Sequence, residues 1–418
     1  MTGGLGTACQ GLVKSLVGQG VDVFFVMPGR TSGGERIGPR IVERTALDDR
    51  LLTPANRVLP RGDFSLIRVP PALNPYAGAR APVESKTGLF QRPSLEQDLY
   101  GGDLLEAVKA LARETRKIAE GLRFDIVHAH DWMTFPAAIA ARKVSGKPFV
   151  AHLHSTEYDR CLDAIWPPVC RIEAEGLAAA DAIITVSARS KWQVVEKYQI
   201  EPEKIQVVHN GLNRDHLGQP EEAVPLELSH DPARKIVLFL GRITPQKGPS
   251  FFLEAAARIL ETEPDTLFLF AGSGDLVAAL VERTAELGIS ESVLFLGFLD
   301  GLQVQGAFQA ASVYVMPSVS DPFGISCLEA MYLQTPVVVS NQTGIAEVAE
   351  NVLKVNYWEV EEIAAKVVRL LRDPQYASEL ASRGAAEARR ITWEHPAARC
   401  RGLYKEVLAR SGLRPLQE

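Results

Sequence analysis

Short runs rich in Val, Ile and Phe alternate with helix-period segments along nearly the whole of this 418-residue chain. Parallel strands covered by helices on both faces are buried on both sides, so they read as near-continuous apolar runs of this kind. The pattern predicts an α/β protein. In the first half, strands are expected at Val21 to Met27, Phe124 to His128, Phe149 to His154, Ala182 to Val186 and Ile205 to His209, with helices at Leu104 to Ala119 and Ser187 to Tyr198. A second series of strands is expected at Lys235 to Leu240, Thr266 to Ala271, Val293 to Leu296, Ser312 to Met316 and Pro336 to Ser340. This length exceeds what one hydrophobic core supports, and two domains of roughly 200 residues each follow.

The expected division is residues 1–218, a linker over 219–234, a second domain over 235–395, and a terminal helix in 396–418 that packs back on the first domain. The linker mixes Pro, Glu and Asp without periodicity. The segment from Pro28 to Pro93, rich in Gly, Pro and Arg, reads as a functional insertion.

Composition excludes several classes. No apolar run approaches the ~20 residues that span a bilayer, and the opening Met1 to Gly6 lacks the basic and apolar regions of a secretory signal, so the cytoplasm is the expected compartment. A net charge of −6 gives no overall reason to bind nucleic acid. A local basic patch for anionic lipid stays open, and nothing in the sequence indicates an oligomeric state. The five cysteines, Cys9, Cys161, Cys170, Cys327 and Cys400, are scattered and contain no C-x-x-C, which favours buried free thiols over disulfides or a zinc site.

Four stretches carry chemistry. Gly3, Gly4 and Gly6 lead into a helix with Leu5, Ala8, Leu12 and Leu16 on one face, and such a helix start can bind phosphate. Taken alone it fits a plain tight turn equally well. The strand Lys235 to Leu240 runs into Gly241-Arg242-Ile243-Thr244-Pro245-Gln246-Lys247-Gly248, which sets two cations at the carboxyl edge of a parallel sheet, able to neutralise a diphosphate or simply to be solvated. Ala271 to Asp275, with Gly272 and Gly274, permits close backbone approach to a ligand or makes an ordinary strand-to-helix turn. Between Ser318 and Met331 two carboxylates, Asp321 and Glu329, stand eight positions apart around Pro322-Phe323-Gly324, one in a loop and one about a turn into a helix. That spacing fits a sugar and a ribose side by side.

These stretches together, with Gly297-Phe298-Leu299, His128-Ala129-His130-Asp131-Trp132, His152 to Glu157 and Val207 to Gly211, resemble the GT-B glycosyltransferases of family 4, close to glycogen-synthase-like members. The resemblance covers nearly the whole chain. It implies two Rossmann-like doubly wound domains facing across a cleft, and a retaining transfer of a hexose from a nucleotide-sugar donor to a carbohydrate or small-molecule acceptor. UDP-glucose is the first expectation for the donor, ahead of ADP-glucose and GDP-mannose. By position, Arg242 and Lys247 hold the diphosphate, Glu329 the ribose, and Asp321 with the Phe323 and Gly324 amides the transferred sugar. His154 matches the family's active-site histidine, and the departing phosphate itself can take the acceptor's proton. No cofactor or metal is required by that design, and no D-x-D motif is evident. His128, His130 and His152 read as structural residues, since no ligand cage can be assembled from sequence.

Two departures stand out. Asp321 replaces the usual Glu, which shortens the carboxylate by a methylene. The family also places a strand before the glycine-rich loop, and the expectation is that Met1 is an internal methionine of a longer gene product. A nucleotide-sugar epimerase of the same fold and a non-catalytic nucleotide-sugar or glycan binder are the rival readings. Lys247→Ala is expected to lower turnover far more than folding stability.

Overall fold

The structure, a computed structural model, describes residues 4–28, 64–69, 104–162, 164–214, 217 and 234–413. Gly3, most of the expected insertion and nearly all of the expected linker lie outside them.

The first half contains α1 (Gly4–Gly18), β1 (Val23–Pro28), β2 (Phe64–Val69), α2 (Leu104–Gly121), β3 (Val127–His130), α3 (Phe135–Ser145), β4 (Phe149–Leu153), α4 (Glu157–Cys161), α5 (Pro167–Ala179), β5 (Ala182–Thr185), α6 (Ala188–Tyr198) and β6 (Ile205–Val207). The second contains β7 (Lys235–Leu240), α7 (Pro249–Leu260), β8 (Thr266–Ala271), α8 (Val277–Glu286), β9 (Val293–Gly297), α9 (Gly301–Ala310), β10 (Val313–Met316), α10 (Ile325–Tyr332), β11 (Val337–Ser340), β12 (Leu353–Val355), α11 (Val360–Arg372), α12 (Pro374–Ala388) and α13 (Glu394–Arg410).

In the second half all six strands are parallel, in the order β12-β11-β10-β7-β8-β9. Successive side chains leave a strand on opposite faces. On β7, Ile236 and Leu238 join one core cluster while Val237 and Phe239 join the other. The sheet is thus buried on both faces, which is why its strands are legible as unbroken apolar runs.

The first half is less uniform. Its described strands make two parallel sheets, β1-β2 and β3-β4-β5-β6, instead of one continuous sheet. The small sheet is attached by packing: Phe64 and Leu66 cluster with Val13 of α1, and Val69 with Leu111 of α2 and Ala137 of α3. On the larger sheet, Phe149, Ala151 and Leu153 of β4 face one core, and Val150 faces α1 and α13. Helix α13 lies against α1, with Trp393 just before it so close to Gly11 that a Cβ there would stand 2.2 Å from the indole nitrogen. None of the described helices is long and apolar enough to cross a membrane.

Candidate active site

The order of the six-stranded sheet reverses its direction of growth between β7 and β10. The crevice outside the carboxyl ends of strands at such a point is where open α/β sheets bind ligands. Both strands bordering it run into stretches singled out in the sequence. Lys247, at the end of a 3₁₀ turn (Pro245–Lys247), places Nζ 2.5 Å from Oδ2 of Asp321, and Oδ1 of Asp321 accepts the Phe323 amide at 3.2 Å. Arg242 donates to the buried Gln246 side chain at 2.9 Å, while the Gln246 carbonyl accepts the amides of Val319 and Ser320. These bonds tie the two loops together and hold the Lys247 cation at the switch point.

Glycine is required here by positive φ and by close approach within the protein itself. At Gly272, φ is +141° and a Cβ would lie 1.8 Å from the Gly241 carbonyl oxygen. Gly324, with φ +101°, would press a Cβ to 2.6 Å from the Met316 methyl. The carboxyl of Glu329, in the second turn of α10, makes no hydrogen bond or ion pair with any described residue. Burial pushes it up to about 7.

The first half contributes the end of β4. Oδ1 of Asp131 accepts the backbone amides of His154 at 2.7 Å and Ser155 at 3.3 Å, and Asp131 itself sits at φ +58°. Burial raises the Asp131 carboxyl to about 6, against the opposing pull of Arg160 and those two amides. His154 points its ring away from the loop: Nε2 lies 2.9 Å from His130 Nδ1. Because β3 and β4 are parallel with His130 beside His152, the two H-x-H sequences put His128, His130, His152 and His154 on one face. Adjacent rings have centroids 4.3 to 5.2 Å apart. Burial and then mutual repulsion hold the first three well below the usual histidine range, and burial takes His154 to about 3, so all four rings are neutral. Strand pairing thus gathers four imidazoles that spacing alone could not bring together.

The two halves touch directly. Glu347, ending a 3₁₀ turn (Gly344–Glu347), accepts the amides of Ala188 and Arg189 at 2.8 Å each, at the start of α6, and lies 3.1 Å from His209 Nε2. A carboxylate at a helix start satisfies free N–H groups and meets the positive end of the helix dipole. Burial pushes the Glu347 carboxyl up, but the bonds from His209 and the two amides outweigh it and leave it below its ordinary value. The Ser320 hydroxyl donates to Asp159 of α4 at 2.6 Å. Glu347→Ala is expected to cost about 1–2 kcal/mol near neutral pH. Because the carboxyl is depressed, that contribution is present above the unfolded value and fades as acid titrates the folded group. Calorimetry of both proteins at pH 7 and at low pH measures the difference; an unchanged melting temperature at pH 7 refutes the clasp.

The structure thus brings Arg242, Lys247, Gly272, Asp321, Phe323, Gly324 and Glu329 to one switch point. It puts His154 on the opposing half, and Gly4 and Gly6 at the start of α1. The Phe323 amide, expected to face the sugar, is taken by Asp321. Asp131, Asp159 and Glu347 were not assigned from sequence. Asp131 stands inside the quoted His128 to Trp132 motif, whereas Glu347 carries no local signal, since its partners are far away in the chain.

Two family descriptions match in tandem: Glycosyltransferase Family 4 over residues 90–216 and Glycosyl transferases group 1 over residues 222–389. The α-maltose-1-phosphate synthase of Mycolicibacterium smegmatis is 32% identical over 331 residues, 72% of this chain and 84% of that one. Among solved structures, sucrose-phosphate synthase from Thermosynechococcus elongatus superposes with a TM-score of 0.68 at 20% identity, covering 98% of this chain and 94% of that one. Anabaena HepE, solved with UDP and glucose, gives 0.60 at 20% identity over 73% of this chain and 83% of that one. The structural likenesses establish the two-lobed GT-B fold. With the tandem family matches and the Mycolicibacterium relative, they show that this chain belongs to the family-4 glycosyltransferases, enzymes that transfer a hexose from a nucleotide-sugar donor.

Proposed function

We propose that the chain transfers glucose from UDP-glucose to a glycan or small-molecule acceptor with retention at the anomeric carbon. The observation that carries the reading is the Lys247–Asp321 pair at the switch point, with the Glu329 carboxyl, which has no partner among the described residues, in the helix beyond it. A diphosphate entering the crevice draws Lys247 from Asp321 and adds Arg242, so both cations meet the charge that grows as the glycosidic bond to phosphate breaks. Asp321, released from the ammonium, accepts hydroxyl donors of the sugar beside Gly324. Glu329 accepts the ribose hydroxyls. The start of α1, at Gly4 and Gly6, supplies further N–H groups toward phosphate.

His154 is neutral and its ring is turned to His130, so its main chain is the part that meets the sugar, held by Asp131. No carboxylate of the chain attacks the anomeric carbon. The departing phosphate takes the acceptor's proton, and catalysis is positioning plus charge stabilisation. The solved HepE complex with UDP and glucose supports the donor. The name of the Mycolicibacterium relative, an α-maltose-1-phosphate synthase, supports testing a sugar 1-phosphate as acceptor.

A panel of UDP-glucose, ADP-glucose and GDP-mannose, with and without α-glucan, free sugars and a sugar 1-phosphate, tests donor, acceptor and class together. Nucleoside diphosphate release from UDP-glucose that depends on acceptor, with an α-linked product by NMR, is the expected result. A β-linked product overturns retention. Preference for another donor overturns UDP-glucose, and an epimerised donor without acceptor glycosylation overturns transfer.

A further inference from the structure

Beneath the cleft, the glycine-led helix α1 brings Cys9 against the histidine face of β3 and β4. One ligand atom from each of Cys9, His130 and His154 lies within 4.8 Å of the others. A tetrahedral zinc ion, bonded at ~2.0–2.1 Å to nitrogen and ~2.3 Å to sulfur, spaces its ligands by roughly 3.5 Å, so side-chain adjustments of about an ångström close the cage. We propose that Cys9, His130 and His154 bind one zinc-class divalent cation, which pins α1 to the ends of β3 and β4. The proposal is independent of which donor and acceptor the enzyme uses.

Three features select this chemistry. A thiolate and two imidazoles suit zinc and its neighbours in the first transition row, whereas magnesium and calcium take oxygen ligands. Ring nitrogens here are left over: Nδ1 of His154 and Nε2 of His152 are buried without any hydrogen-bond partner. Each neutral ring has one N–H and one lone pair, and in this arrangement those two nitrogens stay unmatched; a buried orphan nitrogen is costly. An ion beside Nδ1 of His130 and Nε2 of His154, which face each other at 2.9 Å, takes both lone pairs and leaves the opposite nitrogen of each ring as an N–H donor. Binding supplies the charge balance that the unliganded site lacks. The thiolate is the only anionic ligand in the cluster; burial and the nearby Asp131 charge push the Cys9 thiol up, so it ionises only as it binds the ion and releases its proton.

His128, His130 and His152 form an overlapping set that shares His130. The thiolate favours the Cys9 set, because three neutral imidazoles leave the full cationic charge buried without compensation. The Nδ1 of His128 is moreover engaged by the Tyr404 hydroxyl at 2.5 Å.

The test uses the full chain, stripped with a chelator and titrated with zinc alone. Saturable uptake of one ion per chain is expected, with a rise in melting temperature of roughly 5 °C at a hundredfold excess over Kd. Cobalt(II) in place of zinc should give the near-ultraviolet thiolate-to-metal charge-transfer band. Cys9→Ala should abolish that band and weaken zinc binding roughly 100-fold, while His128→Gln leaves both in place. If Cys9→Ala does not fold, the cobalt spectrum of the unaltered chain decides by itself. Non-saturable uptake, cobalt binding without the thiolate band, or uptake lost in His128→Gln but kept in Cys9→Ala each overturns the assignment.

Discussion

Lys247→Ala is expected to lower kcat by roughly 100- to 1000-fold, the loss that follows removal of one positioned group facing transition-state charge, or about 2.7–4 kcal/mol. From the sequence, turnover was expected to fall far more than folding stability. The ion pair changes that expectation. Asp321 is 5% exposed, and deleting its cation leaves a buried carboxylate supported by the Phe323 amide. Breaking a buried pair from one side costs about 3–5 kcal/mol, and the partial exposure of Lys247 brings the expected loss to about 2–3 kcal/mol. The two effects separate in a double variant. Lys247→Ala with Asp321→Asn removes the uncompensated charge and should recover much of the melting temperature without recovering turnover. Nucleoside diphosphate release measures the first effect and calorimetry the second. If turnover returns together with stability, Lys247 is a structural cation and not a diphosphate ligand.

Glu329 gives the second large effect, and it carries a sign. Its carboxyl is raised to about 7 by desolvation, so the unliganded protein near neutral pH holds a mixture of acid and carboxylate. Ribose hydroxyls donate to the carboxylate, so nucleoside diphosphate affinity should rise about tenfold between pH 6 and pH 8. Glu329→Gln should bind roughly 10- to 30-fold more weakly at pH 8, at the scale of hydrogen bonds to a charged group. It should also lose the pH dependence beyond the ligand's own phosphate ionisation, which cancels when the two profiles are compared. Stability moves the other way. A carboxyl whose folded value is raised contributes most below its unfolded value and loses that contribution as pH rises through 7, so Glu329→Gln should equal or exceed the parent in melting temperature at pH 8. Titration calorimetry and thermal melts across that range test both. Equal binding profiles for the two proteins would remove Glu329 from the ribose site.

Strand identity in the second half was legible to the residue in places. Lys235 to Leu240 and Thr266 to Ala271 are β7 and β8 as expected, because strands buried on both faces cannot hide in periodic polar sequence. The first half was read less well. The strand expected at Phe124 to His128 runs from Val127 to His130, since its polar histidines point into a helix-covered face and break the apolar signal on which the reading relied. Strand β2 lies inside the stretch taken for an insertion; its six residues include Ser65 and Arg68, and Gly, Pro and Arg surround it. The site showed the same division. Glycine-bearing loops at strand ends, two cations after β7 and two carboxylates around α10 are local patterns, and they were all visible.

The sequence by itself determined that this chain is α/β, that its loops gather at strand ends, and which residue types stand there, because apolar periodicity and turn chemistry act over a few residues. Only the tertiary structure decided which of those residues answer one another. Lys247 meets Asp321 across 74 positions, and Glu347 reaches the start of α6 across 159. Two H-x-H repeats become one buried face only when β3 and β4 pair in register. Alternation along a strand fixes the face a side chain takes. What waits on that face is set by the packing of distant elements, and this carries the ion pair, the clasp between the halves and the stacked histidine cluster.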